Sequence, residues 1–244
     1  MTVDITLKVF RYKAGQASRY DTFLVQVPDT ANVLDAIEAA WADQDRSLTF
    51  RHACHHASCG SCAVRINGVE KLPCITPVKE MWKGTGELLI EPLRNFPVLS
   101  DLVVDVTAFF QRMSAAGMTI TRTAEPALDG KRVQLADGLA RFNRFEDCIE
   151  CGICISACPT MAASDRFFGP AALAAIYRAR LETADKAASD RLLERADGEH
   201  GVWRCHSGWE CTEVCPQNVR PAEAIMALRR DLIKRRFRKL LGVR

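Results

Sequence analysis

Eleven of the 244 residues are cysteines, and they fall into two groups with different spacings. The first group is Cys54, Cys59 and Cys62, followed by Cys74. The second is Cys148, Cys151, Cys154 and Cys158-Pro159, completed by Cys205, Cys211 and Cys215-Pro216. Thiolate is a soft ligand that suits iron in tetrahedral surroundings. Cysteines gathered on short loops can wrap one side of a small cluster of iron and inorganic sulfide. The chemistry on offer is the transfer of single electrons.

The two spacings are not alike. Cys-x4-Cys-x2-Cys with a distant fourth cysteine is the pattern of plant-type ferredoxins, which hold [2Fe–2S]. Cys54, Cys59, Cys62 and Cys74 are therefore its expected ligands. Ala57, Ser58, Gly60 and Ser61 are small enough for backbone N–H groups to approach the sulfurs. Such hydrogen bonds stabilise the reduced, more negative state and raise the potential. His52, His55 and His56 invite a Rieske reading, with two imidazoles replacing two thiolates, but four cysteines already fill the coordination.

Cys-x2-Cys-x2-Cys-x3-Cys-Pro is the run of bacterial two-cluster ferredoxins, in which the fourth cysteine serves the other cluster. Cys148, Cys151 and Cys154 then share a [4Fe–4S] cluster with Cys215. Cys158 joins Cys205 and Cys211. A symmetrical downstream run would carry a cysteine at position 208, where this chain has glycine. Three thiolates without a fourth suit [3Fe–4S], the cuboidal cluster lacking one iron corner. The same site can hold [4Fe–4S] completed by hydroxide, by His206 or by another non-cysteine ligand. Four, four and three ligands use all eleven cysteines.

A disulfide framework is disfavoured by the odd cysteine count and by an N-terminus without a secretory signal pattern. Structural zinc uses paired Cys-x2-Cys knuckles and has no need of either run. No stretch approaches the ~18 uncharged apolar residues of a membrane span. The net charge of +3 is unevenly spread: residues 229–244 carry eight basic side chains against Asp231 alone. Two readings of that tail stand, a solvated helix face and a surface resting on anionic lipid or a membrane partner. Nucleic acid is not expected as a partner, because the basic run is short, terminal and interleaved with only Phe237.

The elements that must position these cysteines follow from periodicity. Ile5–Val9 alternates as a half-buried strand, Gly15 turns the chain, and Phe23–Val27 returns to end at Pro28. Asp29 or Thr30 is placed to cap a helix carrying Val33, Leu34, Ile37 and Trp41 inward. Val64–Ile66 and Asn67-Gly68 form a hairpin, and Leu88–Ile90 is a final strand. Leu102, Val103, Val106, Phe109, Phe110 and Met113 recur at helical spacing up to Gly117. Residues 118–131 read as an exposed connection. Gly169-Pro170 opens a helix burying Leu173, Ile176 and Leu181; Pro221 opens the last, with Ile225, Leu228, Leu232 and Phe237, stopping near Gly242. The expected fold class is α+β: a domain over 1–105 that resembles the β-grasp of plant-type ferredoxins and a helical domain over 106–244 that resembles bacterial two-cluster ferredoxins.

Together these residues resemble the iron–sulfur subunits of succinate dehydrogenase and fumarate reductase. The likeness rests on Cys54–Cys62, Lys71-Leu-Pro-Cys74, Cys148–Pro159, Phe168–Ala171 and Gly201–His206 running on to Cys215-Pro216. Gly201-Val-Trp and the Cys-Gly-Ile-Cys run lie nearer the fumarate reductases. The resemblance implies no substrate chemistry on this chain. Electrons would pass between FAD of a flavoprotein subunit and a membrane quinone through [2Fe–2S], [4Fe–4S] and [3Fe–4S]. It implies membrane anchor subunits, often with haem b, and a peripheral place on the cytoplasmic face of the inner membrane. Pro159 and His206 match the family's quinone-contacting region. Thr160–Ala163 stands where ubiquinone users often carry tryptophan, so Trp209 is a candidate substitute and menaquinone a candidate quinone. The competing functions are a diffusible multi-cluster ferredoxin and the iron–sulfur subunit of another membrane dehydrogenase.

Overall fold

The computed structural model describes residues 1–82, 84, 86–117, 145–183 and 185–242. The connection expected over 118–131 lies outside them. The chain divides into two compact units. One comprises Met1–Thr107 with Ile149–Ala157, the other Ala108–Cys148 with Cys158–Arg244.

In the first unit, β1 (Thr2–Arg11) pairs antiparallel with β2 (Arg19–Pro28) along its whole length. Ile5, Leu7 and Val9 are completely buried, as their alternation requires. β3 (Val64–Ile66) and β4 (Val69–Lys71) meet at Asn67-Gly68, both in the left-handed conformation that a tight primed turn demands. β5 (Glu87–Glu91) lies parallel to β1 and antiparallel to β3, giving the order β2-β1-β5-β3-β4. A parallel neighbour needs a crossover. α1 (Val33–Asp43) lies within it and buries Val33, Ala36, Ile37 and Ala40 in the sheet's core.

The α1 cap is Asn32, not Asp29 or Thr30. Asn32 N–H donates to Asp35 Oδ2 at 2.8 Å, half of a capping box. The helix starts late because Asn32 stays extended to bridge Pro77 while Val33 N–H bonds Thr76 O.

A second departure lies at 98–106. Leu102, Val103 and Val106 are not helical: β6 (Val98–Ser100) and β7 (Val103–Val104) form a two-stranded ribbon instead. The reason is Asp101, fully buried with φ 46° at the turn. Its carboxylate accepts from Tyr12 N–H (2.9 Å), Thr49 N–H (2.8 Å) and Lys13 Nζ (2.9 Å). It also faces buried Arg11, whose Nε is 3.2 Å away. A helix through 101 would strand this charge, and burying an unpaired charge is far costlier than losing a helical turn.

Residues 149–157 join the first unit through α2 (Ile153–Ser156). Ser156 Oγ donates to buried Glu70 on β4 (2.8 Å) and accepts from Arg94 N–H (2.8 Å). Asn95 Nδ2 donates to the carbonyls of Ile155 (2.8 Å) and Ser156 (3.1 Å). Ile153 and Ile155 are completely buried.

The second unit is helical. Within it α3 (Pro159–Ala163), α4 (Pro170–Glu182) and α6 (Pro221–Leu240) each open on proline, which suits a first turn whose N–H has no intrahelical partner. Leu173 and Ile176 on α4 and Ile225 and Leu228 on α6 are fully buried. α5 (Lys186–Asp197), rich in charge and alanine, lacks an apolar stripe wide enough to have announced it. Two expected inward side chains are outward: Leu181 and Phe237 are exposed. Among the described residues no helix is long and apolar enough to cross a membrane.

Candidate metal centres

None of the eleven cysteines is in a disulfide, and their surroundings sort them. The first loop leaves the sheet after Phe50 and returns at β3. His55, Ala57 and Gly60 adopt left-handed backbone, which curls the loop so that N–H groups point inward. Ser58 and Cys59 N–H both donate to Cys54 Sγ at 3.3 Å. Cys59 Sγ and Ser61 Oγ lie in hydrogen-bond contact at 3.1 Å. With N–H groups of His56 and Cys59 on its sulfur, Cys54 as a free thiol is pulled down to about 7.

Cys62 and Cys74 are buried. Burial first, then the neighbouring sulfurs of Cys74 and Cys59, push the Cys62 thiol up to about 12. Four sulfurs drawn together against their own repulsion, with donors aimed at them, form a site that a shared cation would satisfy. The donor set, all thiolate with inward N–H groups, fits an iron–sulfur cluster.

Gly60 has a role that spacing alone did not reveal. A Cβ built there would fall 2.6 Å from Cys151 Cβ and 3.0 Å from its Cα, with φ +67° besides. The first cysteine loop therefore touches the backbone of the ferredoxin-type run inside the same unit. In that run Glu150 and Gly152 are left-handed, the same curling device, and Gly152 N-caps α2. Cys151 and Cys154 belong to this unit; Cys148 and Cys215 belong to the other, where Val219 N–H donates to Cys215 Sγ at 3.3 Å.

Within the second unit, Cys158, Cys205 and Cys211 line one cavity together with Pro159, Thr160, His206, Ser207, Gly208 and Trp209. Burial raises the Cys158 thiol, against N–H groups of Met161 and Thr160. Burial and the charges of Cys158 and Cys205 push Cys211 up to about 12. These three sulfurs feel one another, and no fourth cysteine lines the cavity. Cys158 and Cys211 are buried, whereas Pro159, His206 and Trp209 are exposed. The residues singled out for cluster and quinone thus share one wall. Trp209 also lines a second cavity, with Phe145, Tyr177, Met226 and Arg230.

Sequence reading missed what holds this wall. Arg229 on α6 donates to Val202 O (2.7 Å), to Cys205 O and to Ser207 Oγ (3.0 Å). It clamps the Cys205 loop to the helix, and Ser207 N–H turns back on Cys205 Sγ at 3.3 Å. Thr212 Oγ1 accepts from Ala222 N–H at 3.1 Å, fixing the Cys211 turn to the start of α6. Arg229 stands in a basic run that looked like a solvated face; its spacing gave no signal of an inward role.

Comparison with known proteins completes the picture. A 2Fe-2S iron-sulfur cluster binding domain family matches residues 6–111, and a 4Fe-4S dicluster domain family matches residues 144–219. The fumarate reductase iron-sulfur subunit of Mycobacterium tuberculosis is 36% identical over 242 residues, covering 97% of this chain and 96% of that protein. The succinate dehydrogenase iron-sulfur subunit of Paracoccus denitrificans is 34% identical, covering 91% and 84%. A chain of the Mycobacterium smegmatis Sdh1 complex in the apo form superposes with a TM-score of 0.84 at 27% identity, covering 97% of this chain and 98% of that one.

Proposed function

Because this chain belongs to the family of iron–sulfur subunits of succinate dehydrogenase and fumarate reductase, we propose that it is the electron-transfer subunit of a succinate:quinone or quinol:fumarate oxidoreductase. The observation that carries this is the presence of eleven cysteines in two ferredoxin spacings along a chain that matches one kind of relative over 97% of its length and the other over 91%. When bound, the three clusters supply one-electron steps that link a two-electron flavin on a partner subunit to a quinone at the membrane.

The residues divide the work. Cys54, Cys59, Cys62 and Cys74 hold [2Fe–2S]. Cys148, Cys151, Cys154 and Cys215 hold [4Fe–4S]. Cys158, Cys205 and Cys211 hold [3Fe–4S], a reading supported by their common cavity and by glycine at position 208. N–H groups on Cys54, Cys205 and Cys215 stabilise negative charge at the sulfurs and so favour the reduced state. Arg229 and Thr212 are positioning residues for the third site. Pro159, His206 and Trp209 contact the quinone, a reading supported by their exposure on the wall that carries the three thiols. The functional division falls near residue 105, with the [2Fe–2S] domain before it and the other two clusters after it.

The chain sits peripherally, on the cytoplasmic face of the inner membrane, between a flavoprotein and membrane anchor subunits. The far end of α6 supports contact with that anchor: Ile233, Phe237, Leu240 and Leu241 are exposed beside Lys234, Arg238 and Lys239. Arg235 and Arg236 are instead tied to Glu194 and Asp197 on α5, at 2.6 and 2.7 Å.

The test is to isolate the intact membrane complex without air and assay succinate oxidation with a quinone acceptor and fumarate reduction with a quinol. Either activity is expected, with about nine irons per chain and three EPR species, one of them paramagnetic when oxidised. A stable monomer that copurifies with no flavoprotein would establish the diffusible carrier instead.

A further inference from the structure

The histidines beside the first cysteine loop form a site of their own. Glu38 on α1, His52 and His55 converge on one point. His52 Nδ1 lies 3.0 Å from His55 Nε2, and Glu38 Oε1 lies 3.2 Å from His52 Nδ1 and 3.4 Å from His55 Nε2. Three potential ligand atoms thus make a nearly equilateral triangle.

The hydrogen bonds present leave that triangle unsatisfied. One proton can lie between the two ring nitrogens, whichever carries it. Glu38 Oε1 is then left buried with no hydrogen-bond partner, aimed at the same centre. A buried carboxylate oxygen without a partner is costly. A cation at the centre would satisfy all three atoms together.

The edges match a metal. Zinc binds imidazole nitrogen and carboxylate oxygen at about 2.0–2.2 Å, which puts ligand atoms about 3.3–3.6 Å apart in a tetrahedron and about 2.8–3.1 Å apart on an octahedral face. The observed edges span that interval. Two imidazoles and one carboxylate suit zinc and neighbouring divalent transition ions better than magnesium or calcium, which prefer oxygen. The rings are also held: His52 stacks on Phe50 with centroids 5.1 Å apart and planes 21° apart. His56 takes no part, its Nδ1 being bonded to Cys54 O.

We propose that Glu38, His52 and His55 bind one divalent transition-metal ion, zinc in the first instance, separate from the thiolate centres and with an open position for water or a partner's side chain. The ion pins the stretch that carries Cys54 to α1. It is a third kind of site on this chain, independent of the succinate/fumarate reading.

The experiment adds zinc to the anaerobic, cluster-loaded complex, removes loosely held metal by desalting, and counts zinc per chain. Zinc-edge X-ray absorption then reports the ligands. One retained zinc is expected, with a nitrogen and oxygen shell showing imidazole scattering. Glu38→Gln, on a helix away from the cysteines, and His52→Ala should each weaken binding more than about tenfold, since even outer-shell changes cost that much. Iron content and EPR should stay as in the parent protein. No retained zinc, a sulfur shell, or unchanged retention in Glu38→Gln would overturn the proposal.

Discussion

The two regions where the structure gathers sulfurs within one unit solve the same problem differently. The first loop carries three of its cysteines within nine residues and takes the fourth, Cys74, from the far side of a hairpin. Four sulfurs gather there, two of them buried, and N–H groups from the loop itself are aimed at one of them. The cavity of the second unit has three sulfurs from three separate turns, a glycine where a fourth would stand, and proline, histidine and tryptophan at its mouth. A local loop makes a closed site by curling; a site assembled from distant turns needs external clamps such as Arg229, and it can leave a corner open. Closure suits a relay, whereas an open corner beside exposed aromatic and imidazole groups suits a meeting with a second molecule.

The comparison breaks most visibly if a ligand of the closed site is removed. Cys74→Ala should abolish the [2Fe–2S] signal and electron transfer through the complex, lowering iron from about nine to about seven per chain while the oxidised three-iron EPR signal persists. Loss of both signals together would mean that the two regions are not separate centres.

Filling the open corner is the next test. The nearest atoms to a Cβ at Gly208 are the carboxylate of Glu210, the far end of an exposed side chain that can swing aside. Gly208→Cys should convert the third site to [4Fe–4S], erase the oxidised EPR signal, add about one iron and lower the potential. An unchanged oxidised signal would contradict the assignment of Cys158, Cys205 and Cys211 to a three-iron centre.

The first unit rests on buried charge as well as on its sheet. Arg11 and Asp101 are buried together, and Asp21 and Asp45 also reach Arg11, at 2.9 and 2.6 Å. Burial opposes the charge of Asp101, but Lys13 and the N–H groups of Thr49 and Tyr12 hold its carboxyl below the ordinary range. A folded value below the unfolded one gives stability that is fully present above about pH 4 to 5 and lost as pH falls through the folded value. Asp101→Asn should therefore destabilise this unit by about 3–5 kcal/mol at neutral pH, read by denaturant melting, and flatten its acid sensitivity. Equal loss at pH 7 and pH 3 would show that the charge is not what matters.

The smallest expected effect concerns the touching loops. Gly60→Ala forces a methyl into Cys151 at a left-handed position and should cost about 1–3 kcal/mol. Its sharper signature is spectroscopic: the EPR signals assigned to [2Fe–2S] and [4Fe–4S] should both change. Gly68→Ala, also left-handed but with only Arg65 near its would-be methyl, should strain the hairpin and leave both signals alone. A change in the [2Fe–2S] signal only would sever the link between Gly60 and Cys151.

Much of this was legible in sequence because the signals are local. The alternation of β1, the Asn67-Gly68 turn, the proline that opens α4 and α6, and the cysteine spacings each involve near neighbours, whose chemistry is read without knowing the fold. The failures came where distant groups decided. The periodicity at 102–106 reads as helix, but Asp101 is held by Tyr12, Lys13 and Thr49, and the chain bends to keep those bonds. Leu181 and Phe237 sit at helical spacing, yet both are exposed. Arg229 reads as one basic residue among many, and only the fold brings it to Cys205.

The sequence by itself determined which atoms can hold metal, because ligand chemistry belongs to residue type and loop reach belongs to spacing. The tertiary structure decided which of those atoms come together. It set Gly60 against Cys151, turned Arg229 inward, and aimed Glu38 at two imidazoles that chain order places well beyond it. Convergence of groups far apart in the chain depends on packing that no local pattern encodes.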